Sequence, residues 1–310
     1  MVFFQPFFAT AQEDTLRFLP HWLPQAQFAG FYMACEKGIY ENYDLIVDIL
    51  KSGPKYPPAE MLASGEAEII SNFLTDGIIA FDEGIPLVCI GQISQRSAIM
   101  FISKKERRIS HIGDFEGKTI GIWRSGFREL PLALLRQEGI DAKIVPITGT
   151  VNLFLMDGVD IMCVMWYNEY HQVLNSGIDA GDLDAFFLAD HHLDYPEDGL
   201  YCLKEYYDQN PLQCRKFLQA SLEGWAYAFD HKDEALEVVI EIMRASNVPA
   251  NIAHQKWMLD RMEDLFMSDS LESNRGRLKP EDFHNVNALL HESGAIREKV
   301  PLEEFYYGPE

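Results

Sequence analysis

The chain has 310 residues, of which 47% are hydrophobic, 12% aromatic and 24% charged, so it has apolar surface enough for one large or two ordinary domains and no signature of disorder. Its 26 lysines and arginines stand against 48 aspartates and glutamates, a formal net charge of -22 that repels polyanions, and nucleic acid is not an expected partner. The acids are spread along the whole chain, as on a solvated surface, and by themselves name no ligand.

Taken from the N-terminus, residues 2–8 are apolar and are followed by Ala9-Thr10-Ala11, the small-x-small pattern of a signal-peptidase site. This predicts a signal-peptide remnant over residues 1–11 and an exported, periplasmic protein. No later run reaches the ~18 uncharged apolar residues that would span a bilayer. Short β-branched and apolar runs predict strands at 16–19, 45–50, 68–71, 87–90, 99–103, 119–123, 143–146, 161–165 and 185–188. Between them, apolar stripes at helical spacing predict helices at 28–40, 58–64, 75–83, 128–138, 150–157 and 167–176. After about residue 208 the pattern turns helical, with helices expected at 212–231, 232–245, 250–266 and 280–293 and with Pro211, Pro249 and Pro280 at their starts. The fold class read from this order is α/β with a helical C-terminal segment. There is no repeat and no Gly/Ser-rich linker, so two lobes joined by crossing strands are expected rather than two beads on a string.

The five cysteines form no C-x-x-C pair and read as small buried hydrophobes, with their disulfide state left open. His191-His192 is the one tempting metal pair, but adjacent residues of an extended stretch point to opposite faces, and no metal is expected.

The most informative segment runs His21-Trp22-Leu23-Pro24-Gln25-Ala26-Gln27-Phe28-Ala29-Gly30-Phe31 and on to Glu36-Lys37-Gly38-Ile39-Tyr40. A strand delivers aromatic and polar side chains to a turn from which a helix starts, the place where open α/β sheets bind ligands. With Ser64-Gly65-Glu66-Ala67-Glu68, Asp114-Phe115-Glu116-Gly117-Lys118-Thr119-Ile120-Gly121, Asp157-Gly158-Val159-Asp160-Ile161 and the Phe217, Ala220, Gly224 spacing, this segment resembles one family of periplasmic binding proteins. That family includes sulfonate-, nitrate- and thiamine-pyrimidine-binding proteins and the fungal thiamine-pyrimidine synthase. The resemblance implies the type II periplasmic-binding fold, with lobe one over 12–103 plus 205–310, lobe two over 104–204, and crossovers near 101–105 and 201–204. It further implies a monomer without cofactor that closes on a small ligand and hands it to an ABC permease with its ATPase. The membrane is then met only through the permease.

A cleft of this kind needs flat aromatic walls and a few convergent polar groups. Trp22, Trp123, Trp166 and Tyr167 fall at or just beyond strand ends, Gln27 lies in the first ligand-facing turn, and Asn72 and Thr75 follow the third strand. Arg124 follows the strand that opens lobe two, Glu169 offers a carboxylate to an N–H-rich ring, and Glu197 stands where the chain crosses back. Each has a competing reading: core packing for the aromatics, a surface ion pair for Arg124, helix-dipole compensation for Glu169. The expected ligand is a neutral flat heterocycle, thiamine pyrimidine precursors ahead of riboflavin. Synthase chemistry is set against by the residues, because Asn72 and Asp76 stand where the enzymes of the family carry lysine and histidine, and only Cys202 remains of their cysteine-rich stretch. The remaining alternative is the same module serving as a ligand sensor for a membrane signalling protein.

Overall fold

The computed structural model describes residues 15–124, 126–266 and 275–309; the expected signal-peptide remnant lies outside them. Two five-stranded sheets organise the chain. The first holds β1 (Leu16–Leu19), β2 (Val47–Ile49), β3 (Ile69–Phe73), β4 (Leu87–Gln92) and a late arrival, β10 (Asp198–Leu203), in the order β2-β1-β3-β10-β4. The second holds β5 (Ile99–Lys104), β6 (Thr119–Trp123), β7 (Lys143–Ile147), β8 (Ile161–Met165) and β9 (Leu183–Phe187), in the order β7-β6-β8-β5-β9. In each sheet the first three strands run parallel, and one inserted strand, β10 or β5, runs antiparallel to both its neighbours. Strands buried on both faces read as continuous apolar runs, as in β4, which is buried throughout.

Helices cover the sheets. Lobe one carries α1 (Ala29–Glu36), α2 (Ile39–Asn42), α3 (Pro58–Ala63) and α4 (Leu74–Asp82); lobe two carries α5 (Glu129–Gln137), α6 (Asn152–Leu155) and α7 (Glu169–Asn175). The chain then returns as α8 (Lys204–Gln209), α9 (Pro211–Asp230), α10 (Lys232–Ala245), α11 (Ile252–Phe266), α12 (Pro280–Glu292) and α13 (Leu302–Phe305). The helix expected over 28–40 is two helices, because Gly38 takes the left-handed region at φ 62° and ends the first turn run. A close crossing fixes the return: α9 lies on α1, where a Cβ on Gly224 would stand 2.3 Å from the Gly30 carbonyl oxygen.

The crossovers sit earlier than expected. Residues 101–105 and 201–204 do not pass between lobes, since Ile99–Lys104 is laddered wholly into the second sheet and Asp198–Leu203 wholly into the first. The passage is made by 93–98 and by the stretch ahead of Asp198. An apolar run cannot by itself reveal which of two sheets it joins.

Candidate ligand cleft between the lobes

The two crossing segments are stitched side by side. Ser94 Oγ accepts from the backbone N–H of Glu197 (2.9 Å) and of Asp198 (2.8 Å), and Gln92 Nε2 donates to the Asp198 carbonyl at 2.8 Å. Glu197 completes the seam: its Oε1 accepts from Ser97 Oγ and from the Ala98 N–H, both at 2.8 Å. Glu197, expected as a ligand contact, therefore belongs first to the joint between the lobes, although it also borders the space above Thr75.

From lobe one the loop after β1 brings His21 and Trp22, and the end of β3 brings Asn72 and Phe73. His21 stacks edge-on to Phe28 (5.1 Å) and Phe73 (4.7 Å) and binds Ser71 Oγ through its backbone N–H and Nδ1. Burial holds its pKa down to about 3, so the ring is neutral. Gln27 Nε2 donates to Asp198 Oδ2 at 3.0 Å and lies 3.2 Å from His21 Nε2. The set is consistent when Nδ1–H points at Ser71 and Nε2 accepts from Gln27. Asp198 Oδ1 has no hydrogen-bond partner although it is buried, and burial raises this carboxyl to about 7. Asn72 spends its Oδ1 on the Phe73 N–H, and Thr75 is buried at the start of α4.

From lobe two, β6 ends in Trp123, which meets Trp22 edge-to-face at 6.5 Å, and Phe127 meets Phe73 at 5.9 Å. Trp123 Nε1 is likewise buried without a partner. The lobes touch here, and one small space of about 10 Å³ between them is lined by Phe73, Thr75, Phe127 and Glu197 among others. Tyr167 is buried, and the charges of Asp198, Glu197 and Glu169 add to burial in raising its pKa.

Trp22, Gln27, Asn72, Thr75, Trp123, Tyr167 and Glu197 thus converge on one region; Glu169 is near enough for its charge to act on Tyr167 but is turned away from the ligand space, and Arg124 and Trp166 stand elsewhere. Arg124 is exposed on the surface, its carbonyl accepting from Arg128 Nη1. Glu169 turns back on its own turn, its Oε2 accepting from the Met165 N–H at 2.9 Å and its Oε1 from Asn168 Nδ2 at 2.8 Å. Trp166 belongs to a second interlobe contact, between α7 and α11. There the Arg261 guanidinium lies between the Trp166 and Trp257 rings at 4.7 and 4.8 Å, and Trp257 Nε1 donates to the Trp166 carbonyl at 3.0 Å. His171 stacks on both Trp257 (4.8 Å) and His254 (5.2 Å) in the same cluster. Sequence reasoning missed His21, Phe73 and Phe127; His21 was visible beside Trp22, but a phenylalanine at a strand end reads the same in a cleft as in a core. Among the described residues no group of three or more His, Cys, Asp or Glu side chains is placed to hold a metal, and no helix is long and apolar enough to cross a membrane.

Residues 25–235 match the family model described as NMT1/THI5 like. The riboflavin-binding protein RibY of Chloroflexus aurantiacus is 27% identical over 252 residues, 76% of this chain and 67% of that protein. The formylaminopyrimidine-binding protein of Halalkalibacterium halodurans is 23% identical over 252 residues, 77% and 75% of the two chains. Among solved structures, the periplasmic aliphatic sulphonate binding protein SsuA from Escherichia coli aligns with a TM-score of 0.73 at 16% identity, over 96% of this chain and 92% of its own. The desulfurization enzyme DSZB aligns with a TM-score of 0.61 at 14% identity, over 95% and 96%. The fold is that of the periplasmic binding proteins, two α/β lobes on either side of a cleft.

Proposed function

The chain belongs to the NMT1/THI5-like family, and on that premise we propose that it is the solute-binding component of an ABC importer, exported to the periplasm, that closes its lobes on a flat heterocycle of the aminopyrimidine kind. One observation carries the ligand class. At the meeting of the lobes, amid the aromatic rings of Trp22, Phe73, Trp123 and Phe127, a buried N–H donor (Trp123 Nε1) and a buried acceptor (Asp198 Oδ1) both lack partners. A buried polar atom left unpaired costs about 1–3 kcal/mol. A planar ring carrying an amino group beside a ring nitrogen satisfies both while the rings take its faces. The basic residue expected to meet an anion, Arg124, is at the surface, which disfavours an anionic ligand. The relative that binds formylaminopyrimidine supports this reading, and the riboflavin-binding relative keeps a flavin as the second candidate.

The fold is shared with an enzyme, so a non-catalytic role rests on residues. Asn72 spends its carbonyl on the backbone, and in the cleft's one hydroxyl–imidazole pair among the described residues Ser71 Oγ accepts from both the backbone N–H and the Nδ1–H of the neutral His21, an arrangement that does not draw a proton from the serine.

The test is a melting-temperature screen of protein refolded once to strip carried-over ligand, against aminopyrimidines, flavins, sulfonates and nitrate. At ~100 times its dissociation constant a ligand of the folded state adds roughly 2.7 kcal/mol. A rise with an aminopyrimidine that is lost in Trp123→Ala supports the reading. A rise only with sulfonates overturns it.

A further inference from the structure

A sizeable space bounded by this chain lies away from the meeting of the lobes. A cavity of about 620 Å³ lies entirely within lobe one, between α1, the end of β2 and the C-terminal half of α10, and no lobe-two residue lines it. Its volume falls in the range of small-molecule sites, about 300–1,000 Å³. Its walls are apolar where Ile49, Val238 and Ile242 face it. Two buried hydroxyl side chains line it, Tyr32 at 3% and Ser52 at 4% exposure. Neither hydroxyl has a hydrogen-bond partner among the described residues, and neither oxygen is one of the fully buried unpaired atoms, so both are open to what the cavity holds.

Charge is distributed over the three walls. Lys51 comes from the segment after β2, Glu36 from α1 and Glu241 from α10, and none of the three is ion-paired among the described residues. An ammonium on one wall and carboxylates on two others, around an apolar interior with free hydroxyls, match a ligand that carries both charges and an apolar body. We propose that this cavity is a second binding site, separate from the interlobe cleft, for a small amphipathic zwitterion such as an amino acid with an apolar side chain. Lys51 and the Tyr32 and Ser52 hydroxyls take the carboxylate, Glu36 and Glu241 take the ammonium, and the apolar side chain lies against Ile49 and Ile242. The arrangement is independent of what the interlobe cleft binds.

Calorimetric titration of the stripped protein with L-phenylalanine, phenethylamine and 3-phenylpropionate tests the site and its class together. L-Phenylalanine binds, and each probe lacking one charge binds at least tenfold more weakly. Ala245→Trp, at an exposed position on the cavity wall, lowers the L-phenylalanine affinity at least tenfold, Tyr32→Phe lowers it several-fold, and Trp123→Ala leaves it unchanged. No binding of L-phenylalanine, or binding that Ala245→Trp spares, overturns the site; equal binding of phenethylamine overturns the class. Loss in Trp123→Ala places the ligand in the interlobe cleft and also overturns the site. Because heterocycle binding is read by Trp123→Ala and this site by Ala245→Trp, failure of one proposal is distinguishable from failure of the other.

Discussion

Asp198 and its neighbours decide how this protein responds to pH. Four carboxyls are raised chiefly by burial: Asp76 to about 7, Glu169 to about 7, Glu197 to about 8 and Asp198 to about 7. In the unfolded chain such groups ionise at about 4. Between those values the folded state keeps protons that the unfolded state has released, so stability falls as pH rises. His21 and His254, held down to about 3 and about 4, work in the opposite sense, but only below the ordinary histidine range. From about pH 6.5 to 8 the carboxyls dominate, each at up to about 1.4 kcal/mol per pH unit while it still holds its proton. The melting temperature is therefore expected to decline across that window, and to decline less steeply in Asp198→Asn. A flat or rising profile of the wild-type protein, measured by calorimetry, contradicts the burial argument.

The elements hold because helices approach closely where the sequence is small. On α1 and α9, a Cβ at Gly224 would meet Gly30 O at 2.3 Å and Ala34 Cβ at 2.7 Å, and one at Gly30 would meet the Trp225 ring at 2.3 Å. Backbone carbonyl and ring cannot both retreat in a core of native density. Gly224→Ala is expected to cost about 3 kcal/mol, the upper end for overpacking, and to lower the melting temperature by about 5 °C or more. Gly181→Ala is the control: nothing lies within 4 Å of its added Cβ, and it should be neutral within about 0.5 kcal/mol. Equal melting temperatures for the two variants would mean that α9 is free to shift on α1.

At the scale of the molecule, closure is held by two contacts set apart from each other, the aromatic faces around Trp123 and the stack joining α7 to α11. Arg261 between two indole rings, with Trp257 bonded to the Trp166 carbonyl, ties the returning helices to lobe two. A partly buried cation–π contact is worth about 1–2 kcal/mol. Trp257→Ala is expected to shift the ligand-free protein toward an open form with a larger radius of gyration by solution X-ray scattering. It should also weaken ligand about tenfold, because only the closed fraction is competent. A variant with unchanged scattering and unchanged affinity would show that the stack does not govern closure.

The sequence alone determined most of the elements, since strands such as 161–165 and helices such as 232–245 follow from local periodicity that needs no partner. It also determined the family resemblance, through the run from His21 to Tyr40, and the strand-end positions that carry Trp22, Trp123 and Asn72 together. The tertiary structure decided which sheet β5 and β10 join, that Glu169 folds back on its own turn and that Trp166 meets Arg261 rather than the cleft. It alone revealed that Asp198 Oδ1 and Trp123 Nε1 are left without partners, because an unpaired atom is defined by what surrounds it in space, and residues far apart in sequence supply those surroundings.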